Sequence, residues 1–320
     1  MKIEPGHKPR VPTPTSTPAK TEPKPEPQAH AAAPADARKP TPLQDGFDPG
    51  PVRAGPPAAL DGLGGADRAR LQDVGRGTLG SEARANLGTV VGSPGFLRLS
   101  ASEQAQALRS FLAAPPSSTT STGHLTALLA GAGFQSLSPA DKAQALEVFR
   151  ATSLDGRQHL VALSERTVNG RTALLDTDKD GHSLLSSLQG MATGPLEPSL
   201  SSHGITRADL LGSVMQEAAT PGPLDSGTPP GAAVRHLLNE RNPAEYVRIL
   251  RGLASPSGQA SLRNGDALRR VPDSIAFGSA TQRSSSERLF QAAVLEHSAS
   301  LASMSIEDFK RHVRRCYLLN

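Results

Sequence analysis

The chain carries three aspartates whose spacing suits a metal ion. Asp176, Asp178 and Asp180 occupy every second position, and Gly181 follows them. Carboxylates at positions 1, 3 and 5 with glycine at position 6 open a calcium-binding loop of the EF-hand type, in which the oxygens converge on the ion while the glycine turns the chain. The spacing therefore makes Asp176, Asp178 and Asp180 the candidate metal ligands.

The rest of this loop lacks the residues that complete a calcium site. Ser187 stands where the bidentate glutamate belongs, and Ser183 stands at a normally apolar position. Losing two coordinating oxygens weakens calcium binding toward the millimolar range or beyond. The alternative is an Asp-rich turn before a helix that starts near Ser183, since acidic groups favour a helix N-terminus. We therefore expect no cofactor, with calcium as the less favoured reading.

Motifs of the common enzyme classes are missing. Residues 75–80 read Gly-Arg-Gly-Thr-Leu-Gly, but a dinucleotide site needs a buried strand before such glycines, and residues 60–74 have no strand pattern. We interpret these glycines as part of a linker. The sequence contains no GxSxG, P-loop or HExxH motif, and we assign no catalytic residue.

Cys316 is the only cysteine, which excludes an intramolecular disulfide and a multi-cysteine metal site. We expect it late in a helix over residues 306–319, where the helix dipole raises a thiol pKa, and we interpret it as a core residue. Arg311, Arg314 and Arg315 lie near the end of the same helix, where they are either solvated or face an acidic partner.

Composition and charge narrow the class of protein. The net charge of +4 is small, and basic and acidic residues are evenly mixed along the chain, so the charge does not indicate nucleic-acid binding. No apolar run approaches the roughly 18 residues of a membrane span, and the first residues lack the apolar core of a secretory signal peptide. We expect a cytoplasmic protein without a membrane partner; leaderless secretion, the alternative, leaves no mark in a sequence.

Residues 1–80 are predicted to form a disordered Pro/Gly-rich tail and linker. The first 60 residues contain 15 of the 28 prolines and few strongly apolar side chains. Such a segment cannot bury enough apolar surface to offset the entropy of ordering it, and it favours polyproline II conformations.

Residues 81–193 are predicted to form a helical domain with a two-copy internal repeat. Residues 95–113 match residues 133–151, and each copy starts a helix with a serine followed three residues later by an acidic residue, as in a capping box. The matching pairs include Phe96 with Phe134, Leu99 with Leu137, Ala107 with Ala145, Leu108 with Leu146 and Phe111 with Phe149. Two copies are fewer than a solenoid usually needs, so we expect a small bundle.

The remainder is predicted to contain a Pro/Gly-rich connection over residues 194–230, with one short helix over 206–219, and a small α+β domain over residues 231–320. In that domain Asn264-Gly265 predicts a hairpin with a type I′ turn. A helix over residues 284–300 is expected to bury Leu289, Phe290, Val294 and Leu295. The fold class is thus mainly α with one small β-hairpin.

Residues 232–296 resemble a domain of bacterial multidomain proteins that are similar to papain-like cysteine peptidases. The resemblance rests on four ordered segments: residues 242–248 (NPAEYVR), 252–258 (GLASPSG), 264–266 (NGD) and 286–293 (SERLFQAA). It implies a peptidase-like α+β fold for this part of the chain.

The same resemblance implies that the catalytic residues are absent. A cysteine opens the corresponding helix in that family, at a helix N-terminus that lowers a thiol pKa. Residues 227–233 read GTPPGAA and contain no cysteine. The family's histidine lies on later strands, and this chain ends at Asn320, so we expect a truncated, nucleophile-free relative.

These observations predict a non-catalytic protein-interaction or regulatory protein, a pseudoenzyme that holds a partner such as a protease or an effector inactive in the cytoplasm. Two alternatives stay open. One is a cysteine-peptidase-type enzyme that uses Cys316 or an unrecognised nucleophile, and the other is an exported calcium-dependent effector that uses the three aspartates.

Overall fold

The computed structural model describes residues 57–222, 230–277 and 283–297, together with Asp308, Arg311 and residues 314–317. Most of the predicted disordered tail and most of the predicted helix over residues 306–319 lie outside the described residues. None of the helices in the described ranges has the length and apolar character of a membrane span.

The first part of the chain forms eight helices. They are α1 (Pro57–Asp61), α2 (Gly65–Arg76), α3 (Ser81–Gly92), α4 (Pro94–Leu97), α5 (Ala101–Leu112), α6 (Thr119–Ala130), α7 (Ala132–Gln135) and α8 (Pro139–Ala151). The prediction of a disordered segment over residues 1–80 needs correction at its end, because residues 57–76 are mostly helical. Leu71 and Val74 of α2 are fully buried, so this segment adds to the core.

Helices again dominate the later part. It contains α9 (Leu154–Glu165), strands β1 (Thr167–Val168) and β2 (Arg171–Thr172), a 3-10 helix (Ala173–Leu175), α10 (Leu184–Thr193), α11 (Ser199–Ser202) and α12 (Arg207–Ala219). Then follow α13 (Pro230–Arg241), α14 (Pro243–Ala254), strands β3 (Gln259–Ser261) and β4 (Ala267–Arg269), α15 (Pro272–Phe277) and α16 (Ser285–His297). The mainly α fold class is confirmed.

The internal repeat is longer than the sequence match indicated. Helices α3, α4 and α5 start 38 residues before α6, α7 and α8, respectively. Each unit therefore consists of a long helix, a four-residue helix and a second long helix.

The long helices stack in two rows. The first row is α3, α6, α9 and α12, and the second row is α5, α8, α10 and α14, with each member contacting the next. Helix α12, expected in a connecting segment, and α14, expected in a separate C-terminal domain, thus continue the rows that the repeat begins. Residues 49–320 accordingly cluster as one unit.

Side-chain caps begin the second-row helices of both repeat units. Ser100 Oγ accepts a hydrogen bond from the Glu103 N–H, and the Glu103 carboxylate accepts one from the Ser100 N–H at 2.7 Å, which completes the predicted capping box. In the second copy the shorter Asp141 accepts instead from the Ser138 hydroxyl, at 2.6 Å. One methylene less therefore exchanges the backbone partner for a side-chain partner.

Two glycines let the short helices touch neighbouring backbone. A Cβ on Gly95 in α4 would lie 2.4 Å from the Leu129 carbonyl oxygen in α6, and one on Gly133 in α7 would lie 1.8 Å from the Ser164 carbonyl oxygen in α9. Real Cβ atoms do not approach oxygen this closely, so both contacts require glycine. The same device recurs in both repeat units.

The predicted hairpin is present, but its turn differs from the prediction. Ser261 pairs with Ala267, and the Leu262 N–H donates to the Asp266 carbonyl at 2.7 Å, so the turn is longer than two residues. Gly265 has a φ of 92°, whereas Asn264 is not left-handed. The predicted type I′ turn at Asn264-Gly265 was therefore wrong.

A second hairpin, which the sequence analysis did not predict, has the two-residue turn. Val168 pairs with Arg171, and between them Asn169 and Gly170 have φ values of 51° and 78°. Positive φ at both central positions is the type I′ geometry.

Helix α16 buries Leu289, Phe290 and Val294 as predicted. Leu295 does not face the core, since it is 49% exposed, so this part of the prediction was wrong. Predicted residues beyond His297 lie outside the described range.

Candidate functional sites

The aspartate-rich loop lies where the third unit departs from the repeat. In the first two units a four-residue helix separates the long helices, but β1, β2, the 3-10 helix and a loop over residues 176–183 lie between α9 and α10. Thr177 and Ser183 form an antiparallel bridge that closes this loop. Hydrogen bonds between this loop and Ala244 and Glu245 place it against α14, in the second row of helices.

Asp176 connects the loop to α14. Its carboxylate accepts a hydrogen bond from the Ala244 N–H at 3.3 Å, in the first turn of α14, and its carbonyl accepts one from the Leu184 N–H at 2.8 Å. Burial raises the pKa of Asp176 and outweighs the hydrogen bonds from the Ala244 and Thr177 N–H groups and the charge of Arg166, which favour the ionised form. The structure thus places Asp176 at a helix N-terminus and not among converging metal ligands.

Asp178 organises the turn itself. Its side chain is 0% exposed, and Oδ1 accepts hydrogen bonds from the Asp180 and His182 N–H groups, both at 2.9 Å. The other oxygen, Oδ2, is also buried and has no hydrogen-bond partner among the described residues. Two backbone donors therefore fix the orientation of a carboxylate that still has an unused oxygen.

Asp180 and His182 stand at the surface of the loop, with 44% and 61% of their side chains exposed. One ligand atom each from Asp178, Asp180 and His182 lie within 4.8 Å of one another. The structure thus brings two of the predicted aspartates together with His182, which the sequence analysis did not name.

Two cationic side chains also face Asp180. Lys179 Nζ lies 2.8 Å from Oδ1, and an Arg248 nitrogen lies 3.8 Å from Oδ2. The hydrogen bond from Lys179 and these two charges lower the pKa of Asp180, although partial burial opposes them.

Glu245 on α14 connects the aspartate-rich loop to that helix. This fully buried carboxylate accepts two hydrogen bonds from the Arg248 guanidinium, at 2.7 and 2.8 Å, and one from the Lys179 N–H at 3.2 Å. A buried charge of this kind needs its partners, so the pair ties the backbone of the loop to α14.

A second polar cluster lies inside the C-terminal helices around Glu217 of α12. Its carboxylate accepts hydrogen bonds from the Tyr246 hydroxyl, from Ser284 at 2.9 Å, from Ser286 at 2.7 Å and from Arg235 at 3.2 Å. Burial raises the pKa of Glu217 against the attraction of Arg235. The cluster joins α12, α13, α14 and α16, and its hydrogen bonds hold these helices together.

In the first turn of α13, residues 231–233 are small and buried. A Cβ on Gly231 would lie 3.2 Å from both Cα and the carbonyl oxygen of Gln291 in α16. The predicted resemblance aligns this helix start with the one that carries a cysteine in papain-like domains. Here it packs against a neighbouring helix.

A cavity of about 430 Å³ opens where α9, α12 and the start of α16 meet, and its lining includes His159, Asp155 and several serines. Two of these serines have a structural role. Ser153 Oγ accepts a hydrogen bond from the Gly156 N–H at 3.2 Å, and Ser284 Oγ accepts one from the Glu287 N–H at 3.2 Å. These hydroxyls cap helices. The sequence analysis missed this cavity because its walls come from distant segments.

Cys316 is buried, as predicted. Burial and the neighbouring carboxylate of Asp266 raise the pKa of its thiol, against the charge of Arg315. Since the thiolate is the nucleophile, this environment disfavours catalysis by Cys316. Beside it lies a cavity of about 490 Å³ lined by Asn264 and four arginines: Arg263, Arg311, Arg314 and Arg315.

Comparisons of the chain with family models, with curated proteins and with solved structures give no match. The resemblance of residues 232–296 to papain-like peptidase domains therefore stays a prediction.

Proposed function

We propose that this chain is a non-catalytic regulatory protein that binds another protein, such as a protease or an effector, in the cytoplasm and holds it inactive. The observation that carries the proposal is the first turn of α13. Where the resembled family has a thiolate, Gly231, Ala232 and Ala233 are buried, and Gly231 lies against the backbone of Gln291.

The only thiol of the chain supports the same proposal. A catalytic cysteine requires a lowered pKa, whereas burial raises the pKa of Cys316. The buried carboxylate of Glu217 is likewise occupied by Tyr246, Arg235 and two serines, and these contacts suit a structural role.

The stacked rows of helices support a binding role. Helices stacked as repeats provide extended surfaces, and proteins of this type commonly use them to hold partners. The repeat units α3–α5 and α6–α8 have this arrangement, and α9, α10, α12 and α14 extend it.

The first test concerns catalysis. A cysteine-peptidase alternative predicts that an electrophilic peptide probe labels Cys316 faster in the folded chain than in a urea-denatured control. We expect slower labelling in the folded chain, because the thiol is buried and its pKa is raised. Faster labelling of the folded chain would overturn the non-catalytic assignment.

The second test concerns binding. The full chain and a Cys316→Ser variant are each purified with their cross-linked partners from cells that produce the protein naturally. We expect both to recover the same stoichiometric protein and to inhibit its activity when added back. Recovery of no stoichiometric partner, or loss of the partner only in Cys316→Ser, would contradict a non-catalytic binding role.

A further inference from the structure

We infer that Asp178, Asp180 and His182 form a binding site for Zn²⁺ or a similar first-row divalent ion. The inference is independent of the proposed regulatory function. One ligand atom from each of the three side chains lies within 4.8 Å of the others, which is close enough for a single ion to contact all three. Asp180 and His182 are partly exposed, so an ion can enter from the solvent.

The buried oxygen of Asp178 is a separate observation that points to a ligand. Buried carboxylate oxygens nearly always have hydrogen-bond partners, and an exception calls for an explanation such as a bound ion. Asp178 Oδ2 accepts no hydrogen bond from the described residues, although its side chain is 0% exposed. Because the Asp180 and His182 N–H groups hold Oδ1, the carboxylate is oriented before any ion arrives.

The donor types indicate which ion fits. Calcium takes six to eight oxygen ligands, and Asp176, the third oxygen donor that a calcium loop would need, is engaged with Ala244 of α14. An imidazole nitrogen with two carboxylates suits Zn²⁺ and its neighbours in the first row, which accept mixed nitrogen and oxygen ligands. Three protein ligands would leave a position for water or for a group on a partner.

Lys179 is the competitor at this site. Its ammonium lies 2.8 Å from Asp180 Oδ1 and must move when an ion binds Asp180. Arg248 lies further away, at 3.8 Å, and is held by Glu245. Removing the charge of Lys179 is therefore expected to tighten ion binding.

The experiment is a calorimetric titration of the full, metal-free chain with Zn²⁺ and, separately, with Ca²⁺. We expect one Zn²⁺ per chain, an affinity lowered at least about tenfold in His182→Gln and in Asp180→Asn, and an affinity raised severalfold in Lys179→Met. His203→Gln, which changes a histidine outside the loop, is the matched control and should bind Zn²⁺ like the unmodified chain. Circular dichroism checks that each variant keeps its helix content.

Three outcomes would overturn the inference. The first is no Zn²⁺ binding at micromolar ion. The second is Zn²⁺ binding that His182→Gln and Asp180→Asn leave unchanged. The third is Ca²⁺ binding as tight as Zn²⁺ binding, which would exclude the assigned role of His182.

Discussion

The two repeat units and the C-terminal helices solve the same packing problem in different ways. In the repeat, Gly95 and Gly133 bring short helices into direct contact with the backbone of long ones, and the buried residues of the repeat units are mostly apolar. Where α12, α13, α14 and α16 meet, the interior instead holds the polar cluster of Glu217, Arg235 and Tyr246.

The difference concerns what each interior requires of its residues. A contact between backbones requires only the absence of a side chain, so a single position decides it. A buried polar cluster requires every donor and acceptor together, because a partly satisfied cluster leaves a costly unpaired group. We therefore expect the repeat to fail at single glycines and the C-terminal helices to respond through coupled positions.

The largest effect is expected for Gly133→Ala. The new methyl carbon would lie 1.8 Å from the Ser164 carbonyl oxygen, so α7 must move away from α9. We expect the free energy of unfolding to fall by about 3 kcal/mol, as in overpacked cores. Urea unfolding of the purified protein measures it.

Gly123→Ala is the matched control for that substitution. Gly123 lies inside α6, and a Cβ there would meet nothing within 4 Å. Alanine favours helices over glycine, so this variant should gain about 0.5–1 kcal/mol. Equal stability changes in the two variants would show that the contact between Gly133 and the Ser164 backbone does not determine the stability of the repeat.

A smaller effect is expected for Tyr246→Phe. It removes a hydroxyl that donates to the buried Glu217 carboxylate and leaves that acceptor with fewer donors. We expect the free energy of unfolding to fall by about 2 kcal/mol. Thermal unfolding of the variant, compared with the unmodified chain, measures the loss.

A double-mutant cycle with Ser286→Ala tests whether the cluster acts as a unit. Ser286 donates to the same carboxylate at 2.7 Å. The stability loss of the double variant should therefore differ from the sum of the two single-variant losses by about 0.5 kcal/mol or more. Simple additivity would mean that the C-terminal interior responds residue by residue, like the repeat.

Local features of the fold could be predicted from the sequence. Ser100 with Glu103, and Thr206 with Asp209, lie three residues apart, so each cap is formed within one helical turn. Such contacts depend little on the rest of the chain, and the helices they begin were predicted. Most other features depend on where distant segments meet.

The hairpin turns show where local prediction ends. Asn169-Gly170 and Asn264-Gly265 are the same dipeptide, yet only the first forms a type I′ turn. Pairing of the flanking strands decides the outcome, because Leu262 pairs with Asp266 and thereby lengthens the second turn. That pairing depends on the packing of both strands against other elements, which a dipeptide does not encode.

For the same reason the sequence analysis missed the Glu217 cluster and placed Asp176 among the metal ligands. Ser286 and Glu217 are 69 residues apart, and no spacing rule connects them. For the aspartate loop, the alternating pattern indicated convergence of three carboxylates. The start of α14 instead takes Asp176 through the Ala244 N–H, and the sequence gives no indication of that contact.

The smallest effect is expected for Glu103→Gln, which tests whether charge contributes inside the repeat. Burial alone would raise the pKa of Glu103, but the hydrogen bonds from Ser100 and the ammonium of Lys142, at 3.4 Å, hold it below its ordinary value. A carboxyl group whose pKa is lowered by folding stabilises the fold at pH values above its ordinary, unfolded-state pKa. This stabilisation is lost as the pH falls through the folded-state pKa. We therefore expect Glu103→Gln to cost about 1 kcal/mol near neutral pH and much less at a pH below the folded-state pKa of Glu103, as measured in urea titrations. In a Lys142→Gln background the neutral-pH cost should shrink, since the attracting charge is gone. If the stability cost is the same at both pH values, it comes from the hydrogen-bond geometry of the capping box. The charge of Glu103 would then contribute nothing to the stability of the repeat.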